Sequence, residues 1–550
     1  MKQYFRNIVS KALLELKGKG VIPVDLEVPV IIEYPDAKYG DYSTNVAFLL
    51  AKTLRRKPIE IADLIKGEIV SELLDSVEIS GGGFINFRVK RDFWYYILEK
   101  ILREGDRYGD LNLGEGKSIN IEFVSANPTG PLHVGHGRGA VVGDSLARIL
   151  EKAGYKVTRE YYINDAGRQV ELLGESILAR MFELKGENYP FPEDGYKGEY
   201  IYELARIALS KMQDVLKIDK KEAIERLSLW AVDKIMEWIK RDLTELGISF
   251  DIYFSERELH KGDIQNTIEE LKKAGYTYEK DGAIWFKSTL FGDEKDRVLV
   301  RADGSFTYFA ADVAYHRNKF LRNYDLYINV WGADHHGYIK RVKGALKALG
   351  FDDTKLEILL IQMVNLIKDG KPVTMSKREG ELVTLRWLLD EVGKDAVRFI
   401  FLTRKQDAHL DFDIGLATRQ TEENPVFYVQ YAHARICSIY RTAKDRNIDI
   451  DITKGRINYD LLNQEEEVEI LKKLAMFPDT IEACVKNFEP HRMTFYLVDL
   501  ASSFHRYYNK FRILDDNREL RIARVALCEG VRTVIKEGLR LIGIEAVEVM

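Results

Sequence analysis

Cysteine is nearly missing from this chain. Its three copies, Cys437, Cys484 and Cys528, lie far apart and late, and no CxxC pair occurs. That excludes a disulfide framework and a cysteine-built zinc site. No apolar run reaches the roughly eighteen residues that a membrane-spanning helix needs. The opening stretch MKQYFRNIVS mixes charged and apolar residues and has no signal-peptide core, so the cytoplasm is the expected location. A large charge of one sign is lacking too. The net charge is −5, so bulk attraction to nucleic acid is not expected, and any RNA contact must rest on local patches. Internal repeats and low-complexity tracts are absent.

What remains is a globular composition, 46% hydrophobic and 31% charged, which argues against disorder. A length of 550 residues exceeds what one core supports, so three or four domains are expected. Residues 1–110 read as a separate α+β module. Asp41 is placed to cap a helix through Asn45, Phe48 and Leu54. SVEIS, the triple glycine Gly81–Gly83 and FINFRV read as two strands and a turn. From Gly109 the pattern changes to strand (Ile119, Ile121, Phe123), glycine-rich turn, helix (Val142, Leu146, Ile149, Leu150) and strand (KVTREYYIN). Gly154 is placed to end that helix. This is how a doubly wound nucleotide fold begins. The catalytic region is expected over 111–385, with a mainly helical insertion over about 167–290. A connecting helical region follows over 386–424, and a helical bundle over 425–550.

The turn holds His133-Val134-Gly135-His136. Imidazoles there sit at a helix N-terminus, where free N–H groups and the dipole already favour phosphate. Gly135 leaves room for a flat base to pack on backbone. Two surface histidines in a turn is the plainer alternative. A second element is Thr374-Met375-Ser376-Lys377-Arg378. A mobile lysine there can follow a departing pyrophosphate and neutralise it best in the transition state. Taken alone, this string also fits a solvated basic loop.

HVGH and MSK resemble the paired HIGH and KMSKS signatures of class I aminoacyl-tRNA synthetases. SANPTGPLHVGHGR followed by REYYINDAG resembles the arginine-specific family in particular. GDYSTNVAFLLAK and GFINFR are similar to that family's N-terminal additional domain, which contacts the tRNA corner. YVQYAHARI is similar to the start of its anticodon-binding domain. The resemblance covers essentially the whole chain. One departure is Thr374, where the signature usually has its first lysine, so Lys377 is left to carry that role, with Lys371 or Arg378 as supplements. The implied fold is a Rossmann-type class I catalytic domain with a helical insertion, an N-terminal α+β domain and a C-terminal helical bundle. The implied activity is arginine–tRNA ligation, by way of arginyl-adenylate and pyrophosphate.

The resemblance and the residue chemistry together yield site candidates. His133, His136 and Lys377 are expected to stabilise the splitting triphosphate. Gly135, Asp334, His335, Met375, Ser376 and Lys377 are expected at ATP. His336 joins Asp334 and His335 in one contiguous run, and contiguous residues rarely converge on one metal, so no metal site is expected. A guanidinium is planar, permanently charged and rich in donors, so burying it requires acids. Tyr308 and Asp312, four apart, share a helical face. The family uses a Tyr and an Asp at this spacing for the arginine side chain, with Glu256 as a further acid. Glu122 inside a strand must be paired, and either holds substrate, orients the HVGH residues or forms an internal salt bridge. Asn127 resembles the family's contact to the amino acid's backbone end. Tyr428, Gln430, Tyr431, Arg435 and Tyr508 are candidates for tRNA contact, with Tyr507 and Asn509 beside them. Mg²⁺ is expected only with ATP, and no organic cofactor is expected. The implied partners are tRNA(Arg), L-arginine and ATP, and the implied state is a monomer away from membranes. A small nucleotidyltransferase would share the HxGH chemistry, but it would leave the long insertion and the helical C-terminus without purpose.

Overall fold

The computed structural model describes residues 1–36, 38–368, 370–373 and 383–550. The N-terminal module is a four-stranded antiparallel sheet packed with helices. Its strands run in the order Ile32–Glu33, Tyr42–Thr44, Phe84–Val89, Leu74–Ser80. The two strands expected around the triple glycine form its hairpin. Gly83 turns at φ 154°, and a Cβ there would meet Pro58 Cβ at 2.7 Å, so only glycine fits. The expected capping role of Asp41 is not seen. The helix runs Val46–Leu54 with Asn45 at its N-cap. Asp41 instead accepts the Val89 N–H at 2.8 Å and pairs with Lys472.

The centre of the molecule is a five-stranded parallel sheet in the order Leu356–Ile361, Leu326–Gly332, Ser118–Glu122, Lys156–Ile163, Ile252–Ser255. Numbered by sequence, this is 3-2-1-4-5 read from the other edge. The order reverses between Ser118–Glu122 and Leu326–Gly332, and a doubly wound sheet opens its ligand crevice there. The helix Val134–Lys152 follows the first strand and is buried along most of its length. Gly143 makes the close approach possible, since a Cβ would lie 2.4 Å from Phe123 Cγ. The helix ends at Ala153, and Gly154 then takes φ 89°.

The segment 167–290 is not one helical insertion. Helices Arg168–Leu184, Glu199–Lys211 and Lys220–Glu245 form a first excursion. The chain then returns to lay Ile252–Ser255 into the central sheet. A second excursion holds helix Asp263–Lys273 and a three-stranded antiparallel sheet, Thr277–Lys280, Ala283–Phe286 and Arg297–Val300. Four residues of strand between long amphipathic helices are too short a periodic signal to read. The stretch after 385 likewise includes a strand, Leu410–Asp413, parallel to Val364–Lys368. Beyond it come the long helices Pro425–Asp445, Glu465–Asn487, His491–Lys510 and Arg518–Leu541. No helix among the described residues is long and apolar enough to cross a membrane.

Buried charges tie these parts together. The Arg398 guanidinium donates to Asp144 Oδ2 at 2.6 Å, to the Leu246 carbonyl at 2.8 Å and to the Ile542 carbonyl at 2.7 Å. It thus joins the helix Val134–Lys152, the end of the first excursion and the C-terminal tail. At the other end, the Met1 ammonium and the Tyr34 hydroxyl both donate to Asp479 in the helical region. Asp144 also accepts from Arg148 at 2.8 Å, so losing Arg398 chiefly orphans the Leu246 and Ile542 carbonyls, at about 1–3 kcal/mol each. Arg398→Met is therefore expected to lower the urea midpoint. An unchanged midpoint would show that this junction contributes little.

Candidate active site

The crevice is framed by the segments that leave the two strands at the reversal. After Glu122 and Phe123 the chain bends through Val124 at φ 68° and Ser125 at φ 40°. Left-handed backbone is strained for a β-branched residue. Three bonds hold it: Ser125 N–H to the Phe123 carbonyl, the Ser125 hydroxyl to Glu122 Oε1 at 3.0 Å, and the Tyr162 N–H to Ser125 Oγ at 3.1 Å. The bend delivers His133 to the N-cap of the helix Val134–Lys152.

The two histidines form a reciprocal cap. His136 N–H donates to His133 Nδ1 at 3.4 Å, and His133 N–H donates to His136 Nδ1 at 3.3 Å. Each Nδ1 is thereby an acceptor, so each proton sits on Nε2. The rings stack with centroids 3.5 Å apart. Burial lowers the pKa of His133 and pulls His136 down to about 3, the neighbouring ring adding to the latter. Both are neutral near pH 7, and each keeps an Nε2–H donor. Such a pair can act on an anion through hydrogen bonds and the helix dipole rather than through formal charge. Gly135 serves this stack as well. A Cβ there would sit 3.0 Å from His133 Cε1.

The backbone beside this cap is paired with residues just past the second signature. Val134 N–H donates to the Val383 carbonyl at 3.2 Å, and Leu385 N–H donates to the Leu132 carbonyl at 2.7 Å. Thr374, Met375, Ser376, Lys377 and Arg378 themselves lie outside the described residues. Arg138, fully buried one turn along the helix, donates to the carbonyls of Gln362, Lys405 and Ala408. It ties the histidine helix to the start of the strand Val364–Lys368.

Across the crevice lie the acids. Tyr308 and Asp312 occupy successive turns of the helix Tyr308–Leu321, with Thr307 capping it. Tyr308 is half exposed, while Asp312 accepts the Tyr338 hydroxyl at 2.6 Å. Glu256 is buried and accepts the Tyr162 hydroxyl at 2.8 Å. Asp165 takes the Arg257 N–H and the Ser255 hydroxyl, fixing the turn that presents Glu256. Burial drives the Asp312 carboxyl up to about 7, and the negative charges of Glu256 and Glu122 push the same way. Burial likewise raises Glu256. Asp312 is thus a buried carboxyl on which two further acids act, a site whose ionisation a nearby cation would favour.

Other candidates are placed less centrally. Glu122 is salt-bridged to Lys319 at 2.9 Å, the internal pairing foreseen as one of its readings. Its four lone-pair sites are not exhausted by Lys319 and Ser125. Asn127 is exposed and donates to Gln169 Oε1. Asp334, His335 and His336 are exposed in the turn after Leu326–Gly332. Among the described residues no group of three His, Cys, Asp or Glu side chains is arranged to hold a metal. In the helical region, Arg435 lies over the rings of Tyr431 and Tyr508, at 4.6 and 4.9 Å. Tyr428 and Tyr431 pack on His505. Gln430 turns inward, its amide donating to Asp395 and the Glu545 carbonyl, and Tyr507 is core, donating to Glu467. Tyr162, Tyr338, Asp165 and Lys319 were not foreseen. All stand in or beside the motifs, but their targets are set by other segments.

A parallel sheet with its crevice at the strand reversal, paired imidazoles at the first helix and a helical C-terminal region has the form of a class I aminoacyl-tRNA synthetase. The family model described as tRNA synthetases class I (R), catalytic domain, matches residues 97–411. The arginyl tRNA synthetase N terminal domain matches 2–89, and the DALR anticodon binding domain matches 429–550. The chain is similar to the arginine–tRNA ligases of Syntrophotalea carbinolica and Aquifex aeolicus, each 46% identical over 100% of both chains. The Thermus thermophilus arginyl-tRNA synthetase structure shares the fold at a TM-score of 0.76, with 24% identity and 100% coverage of each chain. This chain belongs to the arginyl-tRNA synthetase family.

The raised Asp312 pKa has a signed consequence. Between about pH 4 and 7 the folded protein keeps a proton that the unfolded chain has released, so this group's contribution to stability declines as pH rises through that window. A guanidinium placed beside it would favour the carboxylate, and would then bind with release of a proton and more tightly as pH rises through 7. Arginine is expected to raise the unfolding temperature more at pH 8 than at pH 6, and Asp312→Asn should abolish that difference.

Proposed function

We propose that this chain activates L-arginine with ATP and transfers it to the 3′-terminal adenosine of tRNA(Arg), with the crevice residues divided between the two small substrates. The observation that carries the reading is that the strand ending in Glu122 leads into two neutral imidazole donors, while the charges of Glu256 and Glu122 act on buried Asp312. The guanidinium enters between Asp312, Glu256 and Tyr308, while Glu122 and Asn127 hold the ammonium and carboxylate end. ATP lies with its phosphates at the Nε2–H groups of His133 and His136. Its adenosine packs near Gly135, Asp334 and His335, and Met375, Ser376 and Lys377, outside the described residues, are assigned to ATP as well. The arginine carboxylate attacks the α-phosphorus, an α-phosphate bond to pyrophosphate breaks, and arginyl-adenylate forms. Mg²⁺ arrives with ATP and screens the phosphates. The terminal ribose, through its 2′-hydroxyl, then displaces AMP.

Lys377, outside the described residues, keeps the role that the sequence reading gives it. Its role is to neutralise the leaving pyrophosphate. The N-terminal module meets the tRNA corner, a role supported by the exposed, mutually packed rings of Phe48 and Phe84 at 4.9 Å. Anticodon bases stack on the Tyr431–Arg435–Tyr508 group with Tyr428 at its edge, and Gln430 takes no part. On this reading the enzyme is a cytoplasmic monomer.

The test is ATP–pyrophosphate exchange with each amino acid, with and without tRNA. Exchange that requires both arginine and tRNA is expected, and exchange driven by another amino acid would refute the assignment. Lys377→Ala should lower kcat at least a hundredfold with little change in arginine KM, whereas equal changes in both would remove its transition-state role. Arg435→Ala should raise the KM for tRNA by roughly 5- to 150-fold, the worth of about one stacked base, and leave arginine KM unchanged.

A further inference from the structure

Glu122 and Asn329 are direct register partners on the two strands that flank the crevice, the last such pair before it opens. Fully buried Lys319 bridges them, donating to Glu122 Oε2 at 2.9 Å and to Asn329 Oδ1 at 2.6 Å. With its oxygen turned to the ammonium, the Asn329 amide faces His316 with its N–H₂, and Nδ2 lies 2.8 Å from His316 Nε2. That makes Nε2 the acceptor and Nδ1 the protonated nitrogen. His316 Nδ1 then donates to the backbone carbonyl of Asp312 at 2.8 Å. Every proton in this series has one direction. It runs without a gap from one acid of the crevice to the backbone of another, in a region sealed from water.

The charged groups acting on His316 are Lys319, Glu122 and Glu160. Burial pulls the ring down to about 4, so it stays neutral and its tautomer stays defined. None of Lys319, Asn329 or His316 is exposed enough to meet a substrate.

We infer that Lys319, Asn329 and His316 are positioning residues that fix the spacing between Glu122 and Asp312, and so set the length of amino acid that the site accepts. This rests on the assignment of those two acids to opposite ends of bound arginine. A rigid spacing rejects a side chain one methylene too long, because the guanidinium and the ammonium cannot both reach their acids. One methylene is discriminated by about 10- to 200-fold in a well-packed site. Any slack in the relay lowers that ratio.

The experiment measures kcat/KM for tRNA charging with arginine and with homoarginine, which carries one extra methylene. Asn329→Asp is the informative variant. It is nearly isosteric and still accepts from Lys319, but it cannot donate to His316 Nε2, so the ring must either take a proton there and become charged or give up its Nδ1–H bond to Asp312. Lys319→Met removes the other junction, and it also leaves Glu122 buried without its partner. Thermal unfolding confirms that each variant folds, and Asn329→Asp carries the test if Lys319→Met does not. The expected result is at least a tenfold fall in the arginine-to-homoarginine ratio, with ATP KM changed by less than twofold. The inference is overturned if Asn329→Asp lowers kcat/KM for both amino acids by the same factor and leaves the ratio intact. Asp312→Asn separates this from the underlying site assignment. If that variant leaves arginine KM unchanged, the site reading itself falls. If it weakens arginine while Asn329→Asp keeps full selectivity, only the relay falls.

Discussion

Two adjacent parallel strands whose connections leave toward opposite faces cannot both be covered at their carboxyl ends. Ser118–Glu122 and Leu326–Gly332 are such a pair, and the rest of the molecule is organised around the opening between them. On one side the chain bends through Val124 and Ser125 to start a helix with two stacked imidazoles. On the other, the turn Ala333–Tyr338 supplies the phenol that holds Asp312. The fold thus sets neutral donors at the head of the first helix and buried carboxyls at Asp312 and Glu256.

That division has an electrostatic logic. Cationic histidines would add a positive charge at the head of the first helix. The reciprocal cap prevents this, because each Nδ1 is committed to a backbone N–H and burial keeps both rings neutral. The acids are kept from water by Tyr162 and Tyr338, whose hydroxyls orient them without cancelling their charge.

The domains are held by cations directed mainly at backbone carbonyls. Arg138 reaches three carbonyls, and Arg398 reaches two together with Asp144. Carbonyls at element ends are the acceptors that secondary structure leaves over, so a buried guanidinium satisfies several at once. Each of these arginines joins the histidine helix to a segment more than two hundred residues away. The registration of the site against the helical C-terminal region therefore depends on them.

Much of this was legible in the chain itself. The strand–turn–helix around HVGH, the end of its helix at Gly154 and the hairpin around Gly81–Gly83 follow from local steric rules and hydrophobic period, which act over a few residues. The placing of Tyr308 and Asp312 on successive turns is likewise a property of one helix. What only the tertiary structure decided are the contacts between distant segments. Ile252–Ser255 joins the sheet because a parallel edge is available to it, not because four residues announce a strand. Asp41 serves Val89 and Lys472 instead of a helix cap, and Gln430 faces inward although its helix neighbours Tyr431 and Arg435 do not. The partners of Glu122, Glu256 and Asp312 come from elsewhere in the fold, so whether each acid is charged, and toward what it points, is set by burial. Sequence order carries no direct record of burial, because the free energy of a carboxyl depends on what surrounds it in space.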